Sequence, residues 1–346
     1  MVFQEDEKTT QPEAESFYVD EFRPEDAGGI VHLFRSVYGE GYPVRLFYDP
    51  QAIIAANENG DYYSIVARTP SGNVIGVSHL FRSAPFRSLY EWGVGLVLKE
   101  YRNLQINNRL ADFIHDNFVP GNPEIEELFG EAVCNHVFMQ KSVTRYQYRE
   151  TALEIALMPA AAYAKEKSAP GRVATLSGFR CYKPQPHRIY VPTSYEQELR
   201  WIYSRLDDTR DILPSTGQAP AGSASRIEME YFAFAQVARF AVHEIGDDFR
   251  AVMDNVEMQA VAGKALVLQA WLNLTTPWVG STVQTLRDQG YFFGGALPRW
   301  FDGDGLLMQK LLCPPDFDSI VLFSDEAKQL LGIIRRDWER ATAQRT

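Results

Sequence analysis

The sequence predicts a mixed α and β fold, α+β or α/β, built as two modules. Its 346 residues correspond to about two domains at roughly 100–200 residues each. Runs of β-branched and aromatic residues alternate with stretches of helical apolar spacing in both halves, which is the signature of mixed α and β architecture. The two halves share an order of elements, and no short-period repeat is visible. Disorder is expected over residues 1–16, which are acidic and poor in apolar side chains. The modules are expected at 17–160 and 172–346, separated by the charged, Ala-rich segment Ala160–Gly171.

In the first module, Phe17–Glu21 reads as a strand. A helix follows Arg23-Pro24-Glu25-Asp26, with Ile30, Leu33, Phe34 and Val37 on its apolar face. Asp49-Pro50 supplies a capping side chain and a proline suited to the first helical position of a second helix. Tyr63–Arg68 and Val74–Arg82 flank the turn Pro70-Ser71-Gly72-Asn73 and predict a hairpin. Ser88–Leu98 reads as a long strand. Ile106, Leu110, Phe113 and Ile114 mark one face of an amphipathic helix. A buried strand at Leu128–Cys134, a helix at about Val137–Tyr146 and a strand at Thr151–Leu157 complete the module.

In the second module, Arg172–Lys183 and Arg188–Val191 are expected to be extended, and Tyr195–Leu206 helical. Leu213–Ser225 is rich in Pro, Gly, Ala and Ser and reads as a loop. The remaining elements are a strand at about Tyr231–Ile245, a helix at Asp247–Ala260, a strand at Ala265–Leu274, a helix at Val279–Gln289, a strand at Tyr291–Leu297 and a helix at Asp325–Ala341.

Composition excludes several classes of function. Lys and Arg number 34 against 45 Asp and Glu, a net charge of −11, and no basic run exists to neutralise a phosphate backbone, so no nucleic-acid partner is expected. The longest apolar stretches, such as Ala265–Leu272, fall short of the roughly 20 residues that span a bilayer. No membrane partner is expected. The N-terminal residues lack a basic start and an apolar signal region. Cys134, Cys181 and Cys313 are too few and too scattered for a disulfide framework, and a cytoplasmic location is expected.

The first module resembles the GNAT superfamily of acyl-CoA-dependent N-acyltransferases. The likeness lies in its order of strand, two helices, hairpin, long strand, and a helix entered through Tyr101-Arg102-Asn103-Leu104-Gln105-Ile106-Asn107. The family carries an Arg/Gln-x-x-Gly-x-Gly/Ala loop there, whose backbone N–H groups and helix N-terminus hold the CoA pyrophosphate. Gln105 and Asn107 replace both glycines. Asn tolerates a left-handed backbone, Gln less so. A second block, Ala132-Val133-Cys134-Asn135-His136-Val137-Phe138-Met139-Gln140-Lys141, is similar to the Ala-Val-Thr-x-His-x-x-Ser-Gln-Lys of bacterial GNAT proteins with two modules, and Arg149-Glu150-Thr151 and Pro159 continue the match. Leu286–Pro298 resembles the last helix and strand of a second module that has no phosphate loop.

The resemblance implies tandem GNAT-like modules, each with a mixed, mostly antiparallel sheet flanked by helices. Acetyl-CoA or another acyl-CoA is the implied co-substrate. Its pantetheine would lie along Leu96, Val97 and Leu98, and its pyrophosphate on the N–H groups of Arg102, Asn103, Leu104, Gln105, Ile106 and Asn107. Glu91 sits where many members place the carboxylate that deprotonates the amine. Strand alternation puts Glu91 on one face with Gly93, Gly95 and Val97, and Gly93 or Gly95 is a candidate for a strand bulge. A solvated strand-end carboxylate is the alternative reading of Glu91. Tyr146 and Tyr148 are candidates for protonating the leaving thiolate, Tyr146 first, and packing is their alternative role.

Other motifs fail on completeness. Cys134-x-His136 lacks two further zinc ligands, and Asp302-Gly303-Asp304-Gly305, which reads as a tight turn, lacks the acidic positions that would complete a calcium loop. No metal site is expected, and the minimal hydrolase, P-loop and Rossmann signatures do not occur. The resulting expectation is an acyl-CoA-dependent N-acetyltransferase acting on a small-molecule or lysine amine, its second module degenerate and shaping the acceptor site. The alternative is a non-catalytic GNAT-fold protein that binds a ligand or partner protein.

Overall fold

The computed structural model describes residues 16–159 and 171–343. The segments expected to be a disordered start and an inter-module linker lie outside or at the edge of those residues. The chain forms two compact units, one of residues up to Phe81 together with Gly93–Asn122, the other of Arg82–Trp92 and Pro123 onward.

The first unit contains β1 (Tyr18–Glu21), α1 (Ala27–Tyr38), α2 (Pro50–Glu58), the hairpin β2 (Tyr62–Arg68) and β3 (Val74–Phe81), and the end of β4 (Leu89–Val97). It closes with α3 (Ile106–Phe113), which runs through a wider turn at Ile114–Phe118 into α4 (Val119–Gly121). These elements follow the sequence signals closely. Asp49 Oδ1 accepts from Gln51 N at 2.9 Å, capping α2 just ahead of Pro50. The α1 face of Ile30, Leu33 and Phe34 is fully buried, and Phe34 stacks on Phe47 at 4.1 Å. The strand order is β1-β2-β3-β4. An ion pair between Arg68 and Asp26, both buried, ties β2 to the entrance of α1.

The second unit holds the start of β4, then β5 (Glu127–Val133), α5 (Phe138–Arg145), β6 (Arg149–Met158) and β7 (Val173–Cys181). These are followed by β8 (His187–Val191), α6 (Glu196–Tyr203), β9 (Arg210–Pro214), β10 (Arg226–Phe232), β11 (Val237–Glu244) and α7 (Phe249–Ala262). The unit ends with β12 (Val267–Asn273), α8 (Val279–Asp288), β13 (Phe292–Phe301), β14 (Gly303–Leu311) and α9 (Asp325–Ala343). Its main sheet runs β4-β5-β7-β6-β13-β14-β12-β11-β10, and β8 and β9 pair separately. The pairings β4–β5, β5–β7 and β7–β6 are parallel, antiparallel and antiparallel. The same sequence of directions recurs in β11–β12, β12–β14 and β14–β13. Two copies of one strand pattern thus meet at β6 and β13. Their ladder contact is Gly295 opposite Ala152, and a Cβ on Gly295 would fall 2.2 Å from the Thr151 carbonyl, so only glycine permits the approach. Gln309 reinforces the seam by donating to Leu153 O at 2.8 Å and accepting from Ile155 N at 2.9 Å.

The structure corrects several sequence expectations. The segment Tyr231–Ile245 is a hairpin turn followed by a strand, because Gln236 adopts a left-handed backbone (φ 54) and reverses the chain between β10 and β11. β9 and β14 were not anticipated. Turn residues at Asp302–Gly305 mask the start of β14, where Asp304 is fully buried. β7, expected to open the second module, pairs with β5 and β6 of the first. In β4 the strict alternation from Glu91 to Leu98 is interrupted at Val94, which takes φ 52 where Gly93 or Gly95 was expected to bend.

Candidate active site

The expected cofactor-binding residues all lie in the first unit. β4 delivers Leu96 and Val97, and Leu98 N donates to Ile75 O at 3.0 Å as the strand ends. Lys99–Leu104 then forms a tight helical turn. Gln105 follows with φ 56 and ψ 26 and caps α3 from the left-handed region. A glutamine therefore supplies the turn that the GNAT resemblance assigns to glycine, at the cost that a side chain brings to this conformation. Beyond it, α3 starts with the N–H groups of Ile106 and Asn107 in its first turn, where a helix has no carbonyls of its own to bond them. Arg102, Asn103, Gln105 and Asn107 are exposed, and Ile106 is buried. Gly76 is what lets these pieces meet. A Cβ there would lie 2.8 Å from Ile106 Cγ2 and 3.4 Å from both Leu96 O and Val97 Cγ2.

Glu91 and Tyr146 lie in the second unit. The parallel ladder of β4 with β5 pairs Leu89 to Glu91 with Glu127 to Phe129, so Glu91 occupies its last rung. Ser83 Oγ donates to Glu91 Oε2 at 2.7 Å. Burial raises the Glu91 carboxyl to about 7, opposed by the Ser83 hydrogen bond and the Arg239 charge and assisted by Glu154. A carboxyl poised there exchanges protons at neutral pH.

The surrounding network was missed in the sequence. Arg239 on β11 pairs with Glu154 on β6 at 3.2 Å and with Glu131 on β5 at 3.5 Å. Its Nε donates to Gln269 Oε1 at 2.9 Å. Gln269 Nε2 in turn donates to Glu154 Oε2 at 2.6 Å, and Ser177 Oγ donates to Glu154 Oε1 at 3.2 Å. The guanidinium packs against Trp271 and Phe232, at 5.2 and 5.4 Å from their ring centres. Burial, with Glu154 next in effect, holds the Glu131 carboxyl well above the usual range. One arginine thus faces three carboxyl groups. These residues come from both copies of the strand pattern, and no local spacing in the chain announces them.

Tyr146 ends α5, with its ring buried edge-on against Trp92 at 5.7 Å and beneath Arg145. Tyr148 packs beside it, 5.9 Å from Trp92, and burial raises its phenol well above the ordinary value. In the block Ala132–Lys141, Gln140 is fully buried. It donates to His136 O and Val321 O and accepts from Phe323 N, so this stretch anchors the approach to α9. Cys134 is buried, its thiol raised by burial and turned to Ala132 O at 3.6 Å. Asp304, read as part of a turn, binds Arg210 and His187 at 2.5 and 3.0 Å.

No family model matches the sequence, and no curated protein matches it. Solved structures do. A GNAT-family protein of Desulfovibrio desulfuricans is 13% identical, covering 48% of this chain and 99% of its own at a TM-score of 0.35. A ribosomal-protein-S5-alanine acetyltransferase of Vibrio fischeri is 12% identical, covering 49% and 94% at 0.38. A spermidine/spermine N-acetyltransferase of Vibrio cholerae is 11% identical, covering 48% and 92% at 0.35. The likeness is one of fold alone. Each of these matches covers about half of this chain. No helix among the described residues is long and apolar enough to cross a membrane.

Proposed function

We propose that the protein is an acyl-CoA-dependent N-acetyltransferase acting on an amine. The observation that carries this reading is the left-handed Gln105 at the head of α3. It keeps the turned backbone a phosphate loop requires although both glycines are absent. In this reading the pantetheine lies along Leu96–Leu98, and the N–H groups of Arg102–Asn107 take the pyrophosphate. Glu91 removes a proton from the acceptor ammonium, directly or through water, so that a neutral amine attacks the thioester. Tyr146 is the group assigned to protonate the leaving thiolate. In this reading the described residues of the later half contribute no second phosphate loop. Its Arg239 and Gln269 hold Glu154 in place, Arg239 also pairs with Glu131, and the Arg239 charge limits how far burial raises Glu91.

The test is an acetylation screen over polyamines, lysine peptides and other cationic amines, with Glu91→Gln beside the parent protein. The expected result is turnover that falls roughly 10²-fold in the variant, with CoA affinity unchanged. A second reading, a non-catalytic GNAT-fold binding protein, is favoured by the tight packing of Tyr146 against Trp92. Full activity in Glu91→Gln would remove Glu91 as the base. CoA binding without turnover on any amine would favour the second reading.

A further inference from the structure

Three side chains from separate segments converge in the second unit without any role in the chemistry above. Glu127 opens β5, Cys181 closes β7 directly opposite it in the ladder, and Asp208 lies just ahead of β9. One ligand atom from each lies within 4.8 Å of the others. Cys181 Sγ donates to Asp208 Oδ1 at 3.2 Å. A cavity of about 10 Å³ is lined by these three and by Arg149 and Arg210, which is close to the space a single water needs.

The second observation concerns Glu127 itself. It is 3% exposed and lines that cavity, and its Oε2 has no hydrogen-bond partner. A buried carboxyl oxygen left unpartnered is costly, and two carboxylates drawn together with a thiol repel unless a proton or cation lies between them. Arg210 meets this need only in part. Its guanidinium is committed to Asp304 at 2.5 Å and stands 3.8 Å from Asp208.

We propose that Glu127, Cys181 and Asp208 form a zinc site, with water as the fourth ligand in the small cavity. A thiolate sulfur disfavours magnesium and calcium, whereas one sulfur and two carboxylate oxygens suit tetrahedral zinc. Bonds of about 2.0–2.3 Å bring ligand atoms to roughly 3.3–3.7 Å from one another. The present spacing of up to 4.8 Å would have to contract to that range, and the Cys181–Asp208 pair already sits near it at 3.2 Å. The ion would clamp β5, β7 and the lead into β9. Single-sequence spacing misses the set because its members are brought together by strand pairing.

The test uses the full chain stripped of metal. Cobalt(II) is expected to bind at one equivalent with a thiolate-to-cobalt charge-transfer absorption that zinc abolishes by displacement. Zinc should also slow alkylation of Cys181, followed by peptide mass spectrometry, and leave Cys313 unaffected. Cys181→Ser should remove the absorption. Glu127→Gln should weaken cobalt binding by more than the roughly 10-fold lost when a metal site loses one supporting hydrogen bond. If either variant fails to fold, alkylation of the parent protein decides. Absence of both absorption and protection overturns the proposal, as does an absorption that survives Cys181→Ser.

Discussion

His79 on β3 has no exposed surface and lies between Phe34, Phe47 and Tyr62, with Ser64 Oγ 2.9 Å from its Nδ1. Burial lowers its imidazole from 6.5 to about 3. The unfolded chain therefore takes up a proton near pH 6.5 that the folded chain refuses until about pH 3. Stability from this group is complete above the unfolded value and falls as pH drops through that window, by up to about 1.4 kcal/mol per pH unit. His79→Gln should be less stable than the parent at pH 7 and recover much of the deficit at pH 4.5 in urea unfolding. An equal deficit at both pH values would assign the acid sensitivity to other groups. Nothing in the sequence marked His79, since a histidine in a β-branched run reads the same whether it faces solvent or core.

The turn at Gln105 makes a sharper test of local backbone chemistry. A non-glycine residue in the left-handed region costs about 1–2 kcal/mol, offset in part by the roughly 0.5–1 kcal/mol of extra entropy that glycine loses on folding. Gln105→Gly should therefore raise the melting temperature slightly, and Gln105→Val should lower it, because a β-branched side chain is least suited to positive φ. The reverse order would show that the turn is not left-handed. Elements with local signals were legible in the sequence: the Asp49-Pro50 cap, the Pro70–Asn73 turn and the apolar face of α3 all appear where expected. Elements set by long-range pairing were not. β14 begins inside a run of turn residues, and β7 belongs to a sheet whose other members lie on both sides of it in the chain. The bend in β4 falls on Val94, a residue type whose propensity argues against it.

The partly buried charge network joins the two copies of the strand pattern, and it makes the later half part of the proposed chemistry. Glu91 was legible as a candidate from its place on β4. Its charged neighbours were not, because Arg239 on β11 and Glu154 on β6 are brought near it only by long-range strand pairing. If this network sets the base, Arg239→Gln should move the rising limb of the pH–rate profile above about 7, since loss of a cation disfavours the carboxylate. Glu154→Gln should move it below, since loss of a like charge favours the carboxylate. Shifts of the same sign in both variants would detach Glu91 from the network. All of this presumes that the loop ahead of α3 holds a cofactor, and calorimetric titration of the full chain with acetyl-CoA tests that most directly. One site per chain is expected, with a dissociation constant within the micromolar-to-millimolar range of about 1 μM to 1 mM usual for enzyme substrates. Binding should be lost in Asn107→Pro, which removes an N–H donor from the helix start. No binding at about 1 mM acetyl-CoA, or undiminished binding in Asn107→Pro, would contradict the account.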